Sequence, residues 1–118
     1  MVVVDITSLS QFKDLVNSKP FVALQATATW CGPCKAISPF FVKHSDEHTS
    51  DKYVFARFDT DDVADLAQEL GIRSIPAFFI FEDGEKADNL NGANPPALAK
   101  LTAEYGEKAK ALSTSEDF

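Results

Sequence analysis

The sequence is poor in cysteine, glycine and basic residues. Its 118 residues include two cysteines, five glycines and 11 Lys and Arg against 18 Asp and Glu, for a formal net charge of −7. This acidic excess argues against a nucleic-acid-binding surface. The apolar run at 2–4 ends at Asp5, far short of a signal-peptide core or a membrane span. We therefore expect a protein that binds neither nucleic acid nor membrane, with the cytoplasm as its expected location.

Both cysteines lie in one short segment, which consists of Trp30, Cys31, Gly32, Pro33, Cys34 and Lys35. Their C-x-x-C spacing lets the two sulfurs close a small ring, so that a dithiol and a disulfide can interconvert. The run at 21–26 predicts a strand just before the segment, and a helical pattern follows it. Free backbone N–H groups and the helix dipole favour a thiolate at such a junction. The segment therefore predicts thiol–disulfide exchange in a reducing compartment.

Strand and helix patterns alternate along the rest of the chain. Strands are predicted at 2–5, 21–26, 53–58, 77–81 and 85–91. Helix boundaries are predicted from a capping box at Ser8, a start near Cys34 with a kink at Pro39, a cap at Asp62 with a stop at Gly71, and a cap at Asn94 followed by Pro95. Asp83-Gly84 predicts a hairpin turn between the last two strands. This order predicts one domain over 1–118, with a mixed sheet, helices on both faces and a tail that frays from about residue 113.

Three segments resemble the thioredoxin family. The segment 28–35 resembles its active-site motif, Ile75-Pro76 its apolar–proline step before the fourth strand, and Gly92-Ala93 its glycine region after the fifth. The resemblance covers nearly the whole chain. It implies an α/β thioredoxin fold, with a central mixed five-stranded sheet flanked by four helices. It also implies a protein-disulfide reductase that acts on disulfide-containing proteins as a monomer. Such a protein binds no cofactor and receives electrons from NADPH only through a thioredoxin reductase.

The resemblance also implies roles for the residues of the motif. Cys31 is the expected nucleophile, and Cys34 is the more buried cysteine that resolves the mixed disulfide. Pro33 favours a reductant over an oxidant. Trp30 is expected both to shield the junction and to form a flat rim for substrate. Lys35 either favours the Cys31 thiolate or is an ordinary solvated helix lysine.

The second and third segments are expected to bind substrate. The resemblance implies a cis peptide bond before Pro76, which would set the Ile75 backbone beside Cys31. A substrate strand can pair with a free backbone N–H and C=O at such a position. Gly92 and Ala93 are expected to complete this surface.

One residue departs from the family pattern. Family members commonly carry a buried aspartate five residues before the motif tryptophan, and Gln25 stands there in this chain. A glutamine amide does not titrate, so it cannot take the proton from Cys34. Arg57 on the next strand is expected to extend towards solvent. The substitution puts the kinetics of the resolving step in doubt, and leaves the overall chemistry intact.

Two metal patterns compete with the redox interpretation. Cys31 and Cys34 with His44 and His48 superficially resemble a zinc site, but one continuous helix would place His44 about 15 Å from Cys34. The acidic stretch at 59–65 lacks the glycine and terminal glutamate of a calcium loop. No metal site is expected from either pattern, and the acidic stretch is interpreted as a solvated face with a helix cap.

An alternative function is a redox-regulated binding module with little turnover. Gln25 favours this alternative, because slow resolution would prolong a mixed disulfide. The intact cysteine motif and the compact single domain favour the reductase.

Overall fold

A computed structural model describes the backbone of residues 2–115 and the side chains of residues 2–112. Its elements, in chain order, are β1 Val4–Asp5, α1 Leu9–Ser18, β2 Phe21–Thr27, α2 Gly32–His48, β3 Tyr53–Asp59, α3 Ala64–Glu69, β4 Ala77–Glu82, β5 Glu85–Asn91 and α4 Pro95–Ser115. The strands form one sheet in the order β1-β3-β2-β4-β5. β1, β3 and β2 pair in parallel, whereas β4 pairs antiparallel with both β2 and β5. The predicted mixed five-stranded sheet with four helices is confirmed.

The central strand β2 is buried on both faces of the sheet. Val22, Leu24 and Ala26 belong to a core shared with α1 and α3. Phe21 and Ala23 point to the other face, into a core shared with α2 and α4. Because both faces are covered, apolar residues occupy the consecutive positions 21–24 of β2, and not only every second position.

The predicted capping box at α1 is shifted by one residue. The Ser8 hydroxyl accepts a hydrogen bond from the Gln11 N–H at 3.0 Å, as predicted. The reciprocal bond goes elsewhere, because Gln11 Oε1 accepts from the Thr7 N–H at 2.8 Å. One donor in the first turn of the helix and one just before the N-cap are thus satisfied, so the start of α1 is fixed as the sequence indicates.

α2 begins at Gly32, two residues before the predicted start at Cys34. The reason is that the Cys31 sulfur caps the helix by accepting the Cys34 N–H at 3.1 Å. Pro39 lies inside the helix, which runs without a break to His48. The kink at Pro39 stays a prediction.

The predicted cap of α3 is wrong. The N-cap residue is Val63, which makes no side-chain hydrogen bond to the helix. Asp59, at the end of β3, instead accepts the N–H groups of Asp61 and Asp62 at 2.8 and 3.3 Å. Asp62 thus lies in a turn organised by Asp59. The predicted stop is confirmed, since Gly71 follows the helix with a φ of +67°.

The hairpin turn and the start of α4 follow the sequence. Asp83 and Gly84 have φ values of +53° and +87°, as a type I′ hairpin turn requires. Asn94 Oδ1 accepts the Ala97 N–H at 3.2 Å, which makes it the N-cap. The helix then continues to Ser115, through the first three residues of the segment predicted to fray. Residues 116–118 lie outside the described residues. Within 2–115, no helix combines the length and the apolar character needed to cross a bilayer.

Candidate active site

The two cysteines form a disulfide at the start of α2. Cys31 is 4% exposed and Cys34 is fully buried, in the predicted order. Both belong to a small buried cluster with Ala28, and the partly buried Ile75 packs against this cluster. Of the two cysteines, only Cys31 retains contact with solvent.

The start of α2 supplies backbone donors at these cysteines. Cys31 Sγ accepts the Cys34 N–H, and the Lys35 N–H bonds the Cys31 carbonyl at 3.2 Å. Pro33 occupies the first turn, and a Cβ added to Gly32 would meet open space. The Lys35 side chain is exposed, so its surroundings are those of a solvated helix lysine.

The segment before β4 approaches the disulfide. The Ile75–Pro76 peptide bond is cis, and Ile75 packs on the cysteine cluster. The Gly92 N–H donates to the Pro76 carbonyl at 2.9 Å, and Gly92 has a φ of +94°. Ala93, next to it, is exposed. The fold therefore brings together the three segments that resemble the thioredoxin family. They lie where β2 ends, β4 begins and β5 ends.

Trp30 lies on the surface, with 69% of its area exposed. Its indole Nε1 donates a hydrogen bond to Asp61 Oδ2 at 2.8 Å. The expected shielding of the junction by Trp30 stays a prediction. Sequence reasoning named Asp61 within the acidic stretch 59–65 but did not predict its contact with Trp30.

A groove of about 390 Å³ lies beside the disulfide. Its lining residues are Trp30, Thr60, Ala67, Ile72, Arg73, Ser74 and Ile75. Sequence reasoning placed only Trp30 and Ile75 here. The apolar Ile72 and cationic Arg73 precede the Ile75-Pro76 step by a few residues, and this proximity was the available signal. The groove offers apolar surface with one cation beside Cys31.

Gln25 lies under the active site, where it is only 1% exposed. Its side-chain Nε2 donates to the Ser38 hydroxyl at 3.0 Å. That hydroxyl in turn donates to the Cys34 carbonyl at 2.7 Å. A neutral amide and a hydroxyl thus stand next to the backbone of Cys34. Sequence reasoning did not find Ser38, because the link joins β2 to α2 across the core.

Arg57 is the partner of Gln25 in the β2–β3 register, but its guanidinium forms an ion pair with Asp5. Its Nε lies 2.7 Å from Asp5 Oδ1 on the edge strand, and 30% of its side chain is exposed. It therefore extends to the surface, as expected, and does not pair with Gln25.

The two histidines lie at the other end of α2. Because α2 is continuous from Gly32 to His48, His44 is about 15 Å along the axis from Cys34. Burial lowers the pKa of His44 below its ordinary value, and the Glu47 carboxylate opposes this. The histidines cannot share one metal ion with the cysteines.

The family model described as Thioredoxin matches residues 3–104. The chain belongs to the thioredoxin family. Thioredoxin-family proteins are disulfide oxidoreductases, and the redox-active cysteine pair is present in this chain. The fold and the redox-active cysteine pair are therefore those of this class of enzyme.

Individual relatives agree with the thioredoxin assignment. Thioredoxin of Coprinus comatus is 44% identical over 96 residues, covering 81% of this chain and 91% of that protein. Thioredoxin-2 of Pyricularia oryzae is 46% identical over 101 residues, which is 86% of this chain but 58% of that longer protein. The solved structure of Plasmodium falciparum thioredoxin superposes with a TM-score of 0.84 at 36% identity, covering 87% of this chain and 99% of that one.

Proposed function

We propose that this thioredoxin-family chain reduces protein disulfides through Cys31-Gly32-Pro33-Cys34, with Cys31 as the nucleophile. The observation that carries the proposal is the Cys34 N–H bonded to Cys31 Sγ at 3.1 Å. In the reduced protein, the same donor and the positive end of α2 would stabilise a thiolate at Cys31. Its residual exposure, against none for Cys34, supports the same order of attack.

The exchange consists of two balanced steps. The Cys31 thiolate attacks one sulfur of a substrate disulfide, whose S–S bond breaks as its second sulfur leaves as a thiolate. The Cys34 thiol then loses its proton and attacks Cys31 Sγ, which breaks the mixed disulfide and releases the other substrate sulfur. The substrate gains two electrons, and the chain ends with its Cys31–Cys34 disulfide.

Substrate would dock on the surface around Cys31. We assign the exposed Trp30 ring as its rim, held by the hydrogen bond to Asp61. The Ile75 backbone would pair with an extended substrate segment, and Pro76, Gly92 and Ala93 would border that segment. The groove between Trp30 and Ile75 would take an apolar side chain of the substrate.

The dithiol would be regenerated by a thioredoxin reductase, which draws its electrons from NADPH. The chain itself needs no bound cofactor for this cycle, because the electrons pass through its two sulfurs. The cytoplasm is the proposed location, since a reducing compartment keeps the dithiol available. We propose that the chain works as a monomer.

Insulin reduction coupled to NADPH and a thioredoxin reductase tests this function. Sustained NADPH consumption that depends on the chain and on insulin is the expected result. Cys31→Ser should abolish it, whereas Lys35→Ala, which alters an exposed neighbour, should retain it. Absence of turnover in a folded, fully reduced chain would contradict the proposal.

A binding module with little turnover is the second candidate, and buried Gln25 favours it. The described contacts of this amide offer no titratable base beside Cys34. If resolution is slow, the mixed disulfide persists and partner capture replaces catalysis. Stable capture of a disulfide-containing partner by the wild-type chain, with little insulin turnover, would support this candidate.

A further inference from the structure

Three potential metal ligands converge near the end of α2 that is remote from the disulfide. His44, Glu47 and His48 each offer one ligand atom, and these atoms all lie within 4.8 Å of one another. Glu47 Oε2 is 3.9 Å from His44 Nδ1 and 3.9 Å from His48 Nε2. The carboxylate thus stands between the two imidazoles.

His44 is a buried polar group whose ring has no hydrogen-bond partner in the part of the chain that the structure describes. It is 8% exposed, and neither of its ring nitrogens makes a hydrogen bond among the described residues. An unsatisfied buried polar atom destabilises the folded chain. Such a cost calls for a structural or functional explanation. A metal ion on Nδ1 would satisfy one of the two nitrogens.

The His48 ring packs against a glycine of α4, which leaves space for it. A Cβ at Gly106 would lie 2.8 Å from His48 Nδ1, so a larger residue there would displace the ring. Glycine inside a helix is destabilising relative to alanine. At this position it admits the His48 imidazole between α2 and α4, with Nε2 on the side of Glu47.

We propose that His44, Glu47 and His48 bind one divalent transition-metal ion of the zinc class. Histidines at positions i and i+4 present their rings on one helix face, a spacing that zinc sites use. Imidazole nitrogens and a carboxylate oxygen are established zinc ligands. Ligand atoms around tetrahedral zinc are about 3.3 Å apart. Side-chain rotations that close the two 3.9 Å separations from Glu47 and the imidazole–imidazole separation, which is at most 4.8 Å, would complete the geometry.

The fourth coordination position would face a cavity of about 390 Å³. Glu47, His48 and Gly106 are among its lining residues, whereas His44 lies behind them in the core. The cavity has room for water or a small anion as the remaining ligand. The three side chains therefore resemble an open site, which three protein ligands and one exchangeable ligand complete.

This site is independent of the cysteines. The geometric argument against zinc applies to ligation shared between Cys34 and the histidines, whereas these three residues need no sulfur. The oxidised protein is the right test material, because its disulfide removes the two thiolates that would compete for the metal.

Calorimetric titration of untagged, oxidised protein with zinc chloride alone tests the proposal. We expect one zinc ion per chain for the wild type. Glu47→Gln and His48→Gln should each weaken binding by on the order of tenfold or more. Asp46→Asn removes the same charge from the exposed position next to Glu47, and should bind zinc like the wild type.

Thermal melts with and without zinc provide a second readout. Zinc should raise the melting temperature of the wild type and of Asp46→Asn, because the unfolded chain lacks the assembled site. The shift should be lost in His48→Gln. Absence of zinc binding by the folded wild type would overturn the proposal. Unchanged affinity in either Glu47→Gln or His48→Gln would overturn it equally.

Discussion

Gln25 and Ser38 are joined by a hydrogen bond of 3.0 Å between the buried amide Nε2 and the hydroxyl oxygen. The Ser38 hydroxyl donates a second hydrogen bond to the Cys34 carbonyl at 2.7 Å. A side chain of the central strand is thereby connected to the backbone of the resolving cysteine. Both members of the link are neutral, so it positions α2 without adding a charge beneath the active site.

Gln25→Asp should destabilise the oxidised protein by on the order of 1–3 kcal/mol at neutral pH. The new carboxylate would be desolvated, and Arg57 is already paired with Asp5. Gln25→Asn is the matched control, because it shortens the side chain equally and adds no charge. Denaturant melts of both variants measure the effect. Equal stability of the two variants would show that the position is open to water.

The same Gln25→Asp change should speed release of the mixed disulfide. An isolated buried carboxylate has a raised pKa and can accept a proton near Cys34. Single-turnover kinetics with a disulfide substrate measure this step separately from stability. A resolution rate equal to that of Gln25→Asn would mean that water or another group already serves as the base.

Ser38→Ala should lower the free energy of unfolding by about 1–3 kcal/mol. The reason is that the buried Gln25 amide loses the Ser38 hydroxyl as its hydrogen-bond acceptor. Replacing both partners should cost less than the sum of the two single changes, since two apolar groups leave no unsatisfied donor. A double-mutant cycle with Gln25→Leu, measured by denaturant unfolding, provides the coupling energy. Strict additivity would contradict a coupled pair.

The roles of the two cysteines are separable by substitution. Cys34→Ser should leave the first attack intact and trap substrate as a mixed disulfide on Cys31. Cys31→Ser should trap no substrate, because Cys34 is fully buried. Non-reducing electrophoresis of each variant with a disulfide substrate shows the trapped species. Trapping by Cys31→Ser, or normal turnover by Cys34→Ser, would reverse the assignment.

Patterns that are local in sequence were sufficient to predict most of the fold. The apolar run of β2 and the Asp83-Gly84 turn each occupy a few consecutive residues, and their structures follow from those residues alone. The α3 cap was predicted wrongly, because Asp59 reaches the Asp61 and Asp62 donors from the end of β3. The choice among several nearby aspartates depends on the path of the chain, which a local pattern does not contain.

In the candidate active site, too, the residues that form a local motif were predictable and the contacts between distant elements were not. Cys31 and Cys34 stand in one recognisable motif. Their surroundings come from other elements: Ser38 meets Gln25 across the core, and Asp61 meets Trp30 across 31 residues of sequence. Contacts of this kind follow from the packing of α2 and the β3–α3 turn, so they appear only once the chain is folded.

Asp61→Ala should weaken substrate binding by about 2- to 10-fold through Trp30, the range expected for losing one hydrogen bond of about 0.5–1.5 kcal/mol. The indole would lose its acceptor at 2.8 Å and become free to rotate, while the cysteines stay unchanged. The KM for insulin should rise with little change in kcat. Asp62→Ala is the matched control. A fall in kcat at constant KM would contradict a docking role.

Tyr53 should make the protein less stable at alkaline pH. Its ring is fully buried, its hydroxyl donates to the Thr102 carbonyl at 3.2 Å, and burial raises its pKa far above the ordinary value. The unfolded chain ionises this phenol near pH 10, whereas the folded chain keeps the proton. Its contribution is therefore complete below about pH 10 and is lost as the pH rises towards the folded pKa.

Tyr53→Phe isolates that contribution. The variant should lose about 1 kcal/mol at neutral pH with the hydrogen bond to Thr102. Its stability should then fall less steeply than that of the wild type above pH 10, because no phenol at this position ionises on unfolding. Denaturant melts between pH 7 and about pH 11 measure both effects. Parallel stability curves for the two proteins would show that Tyr53 ionises as readily in the folded chain as in the unfolded one.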